Sequence, residues 1–469
     1  MEKTTNRWIV VLGAVLIQLC LGAVYAWSLY NAPIGAAFEN WNALPALFSI
    51  PLFGKTIGIS GIAGTFSIAI FTFALFTIIA GKIQDKIGPR WVATFGGLLY
   101  GVGVIATGMM IKGANPSLTS LWLLYGVLGG AGIGIAYVCP LATCLKWFPD
   151  MRGLISGVAV AGFGAGSIIF KFVIAAMLVV PATATTPEKL AAVGSAFMIP
   201  GIVYLIGVVL GAQLLQVPPA GYKPEGWNPP APVAGAAATG GDFTPGQMLG
   251  TFQFYVIWFM YLFGAMAGLM IISYANDIGL YMAGLYQDSG LIAKAANAVV
   301  MIAIFNALGR VGWGVISDKI GRKITLTLIF VLAALAMFGL AKMDLGYGSF
   351  LGLCSVIGIC FGGFLAVFPS LATEYYGTAN VGTNYGIIFM AYGIAAIVGP
   401  ALAKAPADAI KVANGAVAAA KAAGGACVIP AETLTAINAG YSSAFIIAAV
   451  LCVIGAAMSL IISPPVAKN

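Results

Sequence analysis

Histidine is absent from the 469-residue chain, and acidic residues number only 14. Charged residues make up 8% of the chain, against about a quarter in an ordinary soluble protein. So few charges cannot clothe a water-facing surface. Missing histidine removes the commonest metal ligand and the commonest proton shuttle. The seven cysteines form no Cys-x-x-Cys pair, and all but Cys427 lie inside apolar runs. These absences exclude a zinc site, a thiol enzyme, a secreted disulfide scaffold and a disordered regulator. No metal and no cofactor is expected. The net charge of +8 comes from only 22 Lys and Arg scattered between apolar segments. It reads as a positive-inside bias rather than a surface for nucleic acid.

What the chain does have is hydrophobicity. Apolar residues make up 61%, and mean hydropathy is +1.01. Twelve apolar runs stand out, at 8–35, 58–81, 91–112, 119–145, 153–180, 193–216, 252–275, 292–316, 324–342, 347–372, 383–404 and 441–463. Each is long enough to cross roughly 30 Å of hydrocarbon at about 1.5 Å per residue. The first is too long for a cleavable signal sequence. The reading is an all-α membrane protein with twelve transmembrane helices, its partner surface the lipid bilayer.

The least hydrophobic long stretch, 217–250, carries Pro218, Pro219, Pro224, Pro229, Pro230 and Pro232. It reads as a cytoplasmic linker between an N-terminal six-helix bundle, 1–216, and a C-terminal one, 251–469. Twelve basic residues fall on the side of the termini and eight on the other, so both termini are expected in the cytoplasm. The Ala-rich outer loop 404–440, with Pro406 and Asp408, reads as a surface helix or flap.

The two halves repeat each other. Gly81-Lys-Ile-Gln-Asp85-Lys86-Ile-Gly88-Pro-Arg90 returns as Gly314-Val-Ile-Ser-Asp318-Lys319-Ile-Gly321-Arg322-Lys323, 233 residues later. Ser156-Gly157 onward in span five lines up with Tyr385-Gly386 onward in span eleven, 229 later. Two matches at nearly one offset indicate duplicated, pseudo-symmetric bundles. In the repeated loop, Gly allows close backbone approach and Asp can cap a neighbouring helix. Gly81, Asp85, Arg90, Gly314, Asp318 and Arg322 are therefore read as gating and structural residues, not as substrate ligands.

Every acid lies in a loop or near a span end, and two bases lie within spans: Lys171 and Arg310. A buried charge in a membrane is expensive and signals function by default. Arg310 sits one turn before Gly314, roughly 6 Å inward from the expected turn, so a snorkelling structural Arg is one reading. The repeat favours another. The positions equivalent to Asn306 and Arg310 are Phe73 and Thr77, so the scaffold itself demands neither polar residue. Asn306 and Arg310 share one helix stripe, expected to face a cavity. A guanidinium there would grip a carboxylate with its two-pronged fork. A single cation suits a monoanion better than a dianion. Lys171 lies 19 residues beyond Arg152, roughly 28 Å along a helix, where it either snorkels to the outer interface or draws anions to the mouth.

Aromatic residues form helix stripes at Phe361, Phe364 and Phe368 and at Tyr385 and Tyr392, with Tyr25, Trp27 and Tyr30 in span one and Tyr137 in span four. Each serves as packing or as a cavity wall. Tyr hydroxyls deep in a span need partners, which a carboxylate would supply. Spans five and eleven, as in Gly162-Phe-Gly164-Ala-Gly166, suit close helix contacts that slide.

The doubled loop motif resembles the signature of the major facilitator superfamily. That resemblance covers nearly the whole chain and implies two six-helix bundles around a cavity open alternately to each side. Lys146-Trp147-Phe148-Pro149-Asp150-Met-Arg152-Gly153 through Gly162 resembles the span-five signature of monocarboxylate transporters and the oxalate/formate antiporter family. Asn384-Tyr385-Gly386 through Gly393 is similar to the span-eleven motif of those antiporters, and Asn306-x-x-x-Arg310 to the span-eight motif whose Arg binds the substrate carboxylate. Two departures matter. The oxalate carriers have Lys where this chain has Tyr392, and the eukaryotic monocarboxylate carriers have Asp where it has Asn306. At both positions the chain is similar to bacterial lactate-transporting members.

The resemblance implies a monomeric inner-membrane transporter that moves a small carboxylate anion, such as L-lactate or pyruvate, with a proton. The alternative is a carboxylate exchanger of the oxalate/formate type. It assigns substrate binding to Tyr137, Asn306, Arg310, Phe361 and Phe389, then to Tyr25, Leu29 and Tyr392. Asp277, the one acid near the outer mouth, is the candidate for proton coupling; its other reading is a solvated helix-end charge. An enzyme would need a nucleophile, a metal set or paired carboxylates within the spans, and none is present.

Overall fold

Hydrocarbon offers the backbone no hydrogen-bond partner, so each apolar run must satisfy its own N–H and C=O groups, and helix is the way one chain segment does this. The computed structural model describes residues 6–38, 40–41, 44–52, 55–178, 185–219, 221–226, 242–285, 297–342, 346–406, 409 and 431–465. Among them twelve helices are long and apolar enough to span a membrane. Spans one to six are Arg7–Trp27, Gly64–Ile87, Pro89–Lys112, Leu118–Trp147, Arg152–Leu178 and Thr186–Gln213. Spans seven to twelve are Phe252–Ala275, Asn297–Ile320, Arg322–Leu340, Tyr347–Tyr376, Val381–Leu402 and Glu432–Ile461. Large apolar side chains such as Leu12, Trp91, Phe172 and Phe252 are more than half exposed on the outside of the bundle, where lipid is their natural solvent.

Span two starts at Gly64 rather than 58. The residues before it form an antiparallel hairpin, β1 (Phe48–Leu52) paired with β2 (Lys55–Ile59). A purely helical reading misses this hairpin because β2 runs without a break into the apolar residues of span two. Span one is not a uniform helix. It passes through a 3-10 stretch at Gly22–Trp27, where Gly22 lies so close to the Phe163 backbone that a Cβ would clash. Span eight lies further along the chain than expected and runs on to Ile320, with the turn at Gly321 (φ 86°). Arg310 is therefore ten residues, or roughly 15 Å, from the helix end and near mid-span, not 6 Å from a turn. That depth removes the snorkelling reading.

The two groups of six spans meet along two seams, span two against span eleven and span five against span eight. Glycines make both seams close: a Cβ on Gly81 would strike the Gly382 carbonyl, and one on Gly314 the Gly153 carbonyl. At the end of the bundle where span one begins and span twelve ends, the carboxylates of the repeat reach across these seams. Asp318 accepts the backbone N–H groups of Gly153 (2.9 Å) and Leu154 (2.7 Å) at the start of span five. Asp85 accepts the backbone N–H (3.2 Å) and the side-chain O–H (3.3 Å) of Thr383 at the start of span eleven. Leu154 and Thr383 are themselves 229 apart, so the two contacts are images of each other under the repeat. Charge at a helix N-terminus is favourable in both.

Arg322 pairs with Asp318 (2.7 Å) and Glu374 (2.8 Å). Arg90, expected in the same brace, forms no ion pair among the described residues; Lys146 supplies the cation beside Asp85 at 3.4 Å. Arg90 lies at the start of span three, while Lys146 reaches Asp85 from the end of span four. The division at 1–216, 217–250 and 251–469 is kept as a proposal, since only parts of the connection are described. Its last residues lie on the second half. Asp242 accepts the N–H groups of Thr378 and Ala379, both at 2.9 Å. Of the 404–440 loop, 407–408 and 410–430, with Asp408 and Cys427, lie outside the described residues.

Candidate functional site

Arg310 is completely buried and reaches across the seam between spans five and eight. Its Nε donates to Asn306 Oδ1 one turn back at 2.7 Å, and its Nη1 donates to the Val160 carbonyl of span five at 2.7 Å. Its guanidinium carbon stands 5.7 Å from the centre of the Phe163 ring, within cation–π range. Nη2 has no hydrogen-bond partner among the described residues, and neither does the buried Tyr137 hydroxyl. Among the described residues no carboxylate pairs with the guanidinium. A cation held by two neutral acceptors, with part of its fork unused, suits an anion that arrives from outside the fold.

Around this cation the helices bring aromatic rings from both halves. Tyr137 packs against Phe389 (5.1 Å between centroids) and Phe73 (4.8 Å), and Phe389 stacks on Tyr392 (4.7 Å). Phe361 lies 6.4 Å from both Tyr392 and Tyr25. The Tyr25 and Tyr392 hydroxyls are hydrogen-bonded to each other across the centre. The 3-10 stretch of span one carries Tyr25 to that meeting point. Tyr25, Tyr137, Asn306, Arg310, Phe361, Phe389 and Tyr392 thus form one cluster although they come from five spans.

Leu29 stands beside it, lining a cavity of about 290 Å³ with Tyr25, Ser167 and Lys171. Lys171, half-buried seven residues from the end of span five, faces this cavity rather than standing at the helix end. Asp277 falls in the helix Phe252–Leu285, but its side chain lies outside what the structure describes.

Three central residues escaped the sequence reading. Phe73 reads in the sequence as the apolar counterpart of Asn306, yet it touches Tyr137, Phe389 and Tyr392. Phe163 lies under Arg310 and against Tyr25 at 5.0 Å. Tyr261 stacks on Phe368 at 4.4 Å and bonds the Tyr385 hydroxyl at 3.2 Å. Only the repeat could have drawn attention to Phe73, through its alignment with Asn306. Tyr261 is masked by the run of aromatic residues around it.

Three cavities meet at Tyr25. The largest, about 610 Å³, is open at the end opposite the braced loops, with Trp27, Ser67, Tyr274 and Lys404 among its walls. Among the described residues, no Asp or Glu lines any of the three. Twelve spans, a duplicated loop brace closing one end and a central cation beneath a cavity at the other describe a carrier with one mouth shut.

The profile of the Major Facilitator Superfamily matches residues 32–400. The chain belongs to this superfamily. It is 31% identical over 405 residues to the oxalate:formate antiporter of Oxalobacter formigenes, covering 85% of each protein. It is also 31% identical over 396 residues to the MFS-type transporter YhjX of Escherichia coli (strain K12), covering 84% of this chain and 86% of that one. Identity to the apicoplast pyruvate carrier 1 of Toxoplasma gondii is 26% over 461 residues, covering 82% and 81%. These relatives agree with the antiporter group that the span-five and span-eleven motifs resemble.

The fold matches that of the proton:xylose symporter XylE, with a TM-score of 0.63 at 14% identity over 96% of this chain and 94% of that one. It also matches the human organic anion transporter MFSD10, at 0.61 and 14% over 97% and 100%. This is a multi-pass membrane transporter of the major facilitator superfamily, with the family and fold of carriers rather than enzymes.

Proposed function

We propose that this transporter carries small monocarboxylates, such as L-lactate or pyruvate, by alternating access and in symport with protons. The observation that supports it most is Arg310, buried and, among the described residues, without an acidic partner and with Nη2 unused. An arriving carboxylate supplies the missing charge, and the unpartnered Tyr137 hydroxyl adds a donor. One cation balances one negative charge, so the monoanion is favoured. Tyr392, where the oxalate carriers resemble one another in having Lys, points the same way. The names of the relatives, an oxalate:formate antiporter and a pyruvate carrier, support a carboxylate cargo. The proposal includes a bacterial or archaeal inner membrane, a monomer and cytoplasmic termini. The braced end is then the cytoplasmic one, and the 610 Å³ cavity faces outward.

Exchange of one carboxylate for another is the second reading. It is favoured by the absence of His from the chain and of acids from the described cavity walls, which leaves the proton no described carrier. Uptake of labelled lactate, pyruvate, formate and oxalate into proteoliposomes, with and without an imposed pH gradient, tests both. Concentrative lactate uptake driven by the gradient is expected. Uptake that occurs only against a preloaded carboxylate identifies an exchanger, and failure to take up any of the four ends the proposal. Asp277→Asn tests the coupling residue: exchange should persist while gradient-driven accumulation is lost. Normal accumulation in that variant means that the proton travels another way, such as on the substrate carboxyl itself.

A further inference from the structure

The rings on one side of Arg310 pack directly on one another: Phe73, Tyr137, Phe361 and Phe389 are all about 1% exposed. The side toward spans five, seven and eight is built differently. There a cavity of about 330 Å³ is bounded at its inner end by Asn306 and Tyr25, and its walls are small or aliphatic: Gly164, Ser167, Ala275, Ile302 and Ala303. Asn306 and Ala303 are one turn apart on span eight and face Gly164 and Ser167, one turn apart on span five. The Ser167 hydroxyl donates to the Gly164 carbonyl at 2.8 Å, so this wall offers its lone pairs but no free charge. Gly164 also keeps the site open: a Cβ there would come within 3.2 Å of Asn306 Oδ1, the atom that holds Arg310.

We propose that this cavity receives the carbon tail of the substrate and sets the chain length the transporter accepts. The inference rests on the reading of Arg310 as the carboxylate anchor. Arg310 itself lines none of the three cavities; Asn306, which holds its Nε, lines the recess. A carboxylate drawn to the guanidinium would then lay its tail in the recess beside Asn306 and Tyr25, since the other side is filled by packed rings. The described walls carry no cation and no acid, so they suit an uncharged tail of a few carbons. Ala275 and Ala303, on different spans, are the residues whose small size leaves the room.

The test is a chain-length series, formate, acetate, propionate, butyrate and valerate, competing against labelled lactate in proteoliposomes. In the wild type each methylene that enters the recess should tighten binding about fourfold, until the recess is full. Ala303→Leu and, independently, Ala275→Leu should weaken butyrate and valerate at least tenfold while leaving formate within twofold. Formate has no tail, so its retention also shows that the variant is folded. Ile302→Ala should shift the optimum toward longer acids. If both filled variants weaken formate and butyrate alike, or change neither, the tail lies elsewhere and the proposal is overturned while Arg310 keeps its role. If Arg310→Gln retains the whole series unchanged, the anchor reading fails first and this one falls with it.

Discussion

Asn306 and Arg310 stand one turn apart on span eight, with Asn306 Oδ1 receiving the Arg310 Nε–H at 2.7 Å. A neutral amide therefore orients the buried guanidinium without neutralising it. The Val160 carbonyl does the same from the other half. An acid in either place would have spent the charge inside the fold. The geometry keeps it available and ties the cation to both sides of a seam.

Arg310→Lys keeps the charge but loses the planar fork, so it can serve neither Asn306 and Val160 together nor a carboxylate in bidentate fashion. Lactate binding should weaken at least tenfold, or about 1.4 kcal/mol, and Arg310→Gln should abolish it. Binding by purified protein in detergent, with thermal melting to establish folding, measures this. Unchanged affinity in a folded Arg310→Gln protein removes Arg310 from the site.

Asn306→Asp places a carboxylate on the Arg310 Nε. A carboxylate there would spend the Arg310 charge inside the fold, so at pH 7.5 lactate affinity should drop at least tenfold. A lactate affinity equal to wild type rules out this role for the neutral amide.

Tyr392 faces Tyr25 at the centre, within a few ångströms of the ring of Phe389. Tyr392→Lys adds a second cation where dianions need one. The ratio of oxalate to lactate affinity should rise at least tenfold, read from competition in the uptake assay. A wild-type protein that prefers oxalate to lactate contradicts the monoanion reading directly.

Asp318 joins the halves through two charge-assisted bonds to Gly153 and Leu154. Asp318→Asn removes the charge and can supply only weaker acceptance. At about 1.5–3 kcal/mol for a hydrogen bond to a charged group, the closed form of this end should lose roughly ten- to hundredfold in population relative to the open one. Spin labels at the exposed positions Lys86 and Lys323, one in each half, should report longer distances. An unaltered distance distribution means the glycine contacts alone hold this end shut.

Much of the protein is readable without coordinates because the bilayer simplifies the physics. Twelve apolar runs become helices, since nothing else satisfies the backbone there. Arg310 announces itself as one of two bases inside a span. The repeat exposes Asp85 and Asp318 as equivalent before either is seen to cap a helix. Periodicity places Asn306 on the stripe of Arg310.

What only the packed structure decided are the relations between distant segments. Span eight ends at Ile320, which puts Arg310 at mid-span, because helix continuation depends on Gly321 turning rather than on Gly314. Lys146 replaces Arg90 beside Asp85, a choice made by where two helix ends come to lie. Phe73 looked like filler because its meaning lies in Tyr137, Phe389 and Tyr392, which reach it from three other positions in the chain. Hydrophobicity is a local property that composition records. The recess of Gly164, Ser167, Ala275 and Ala303 is a space left between three helices, and a space between helices belongs to no single segment of the sequence.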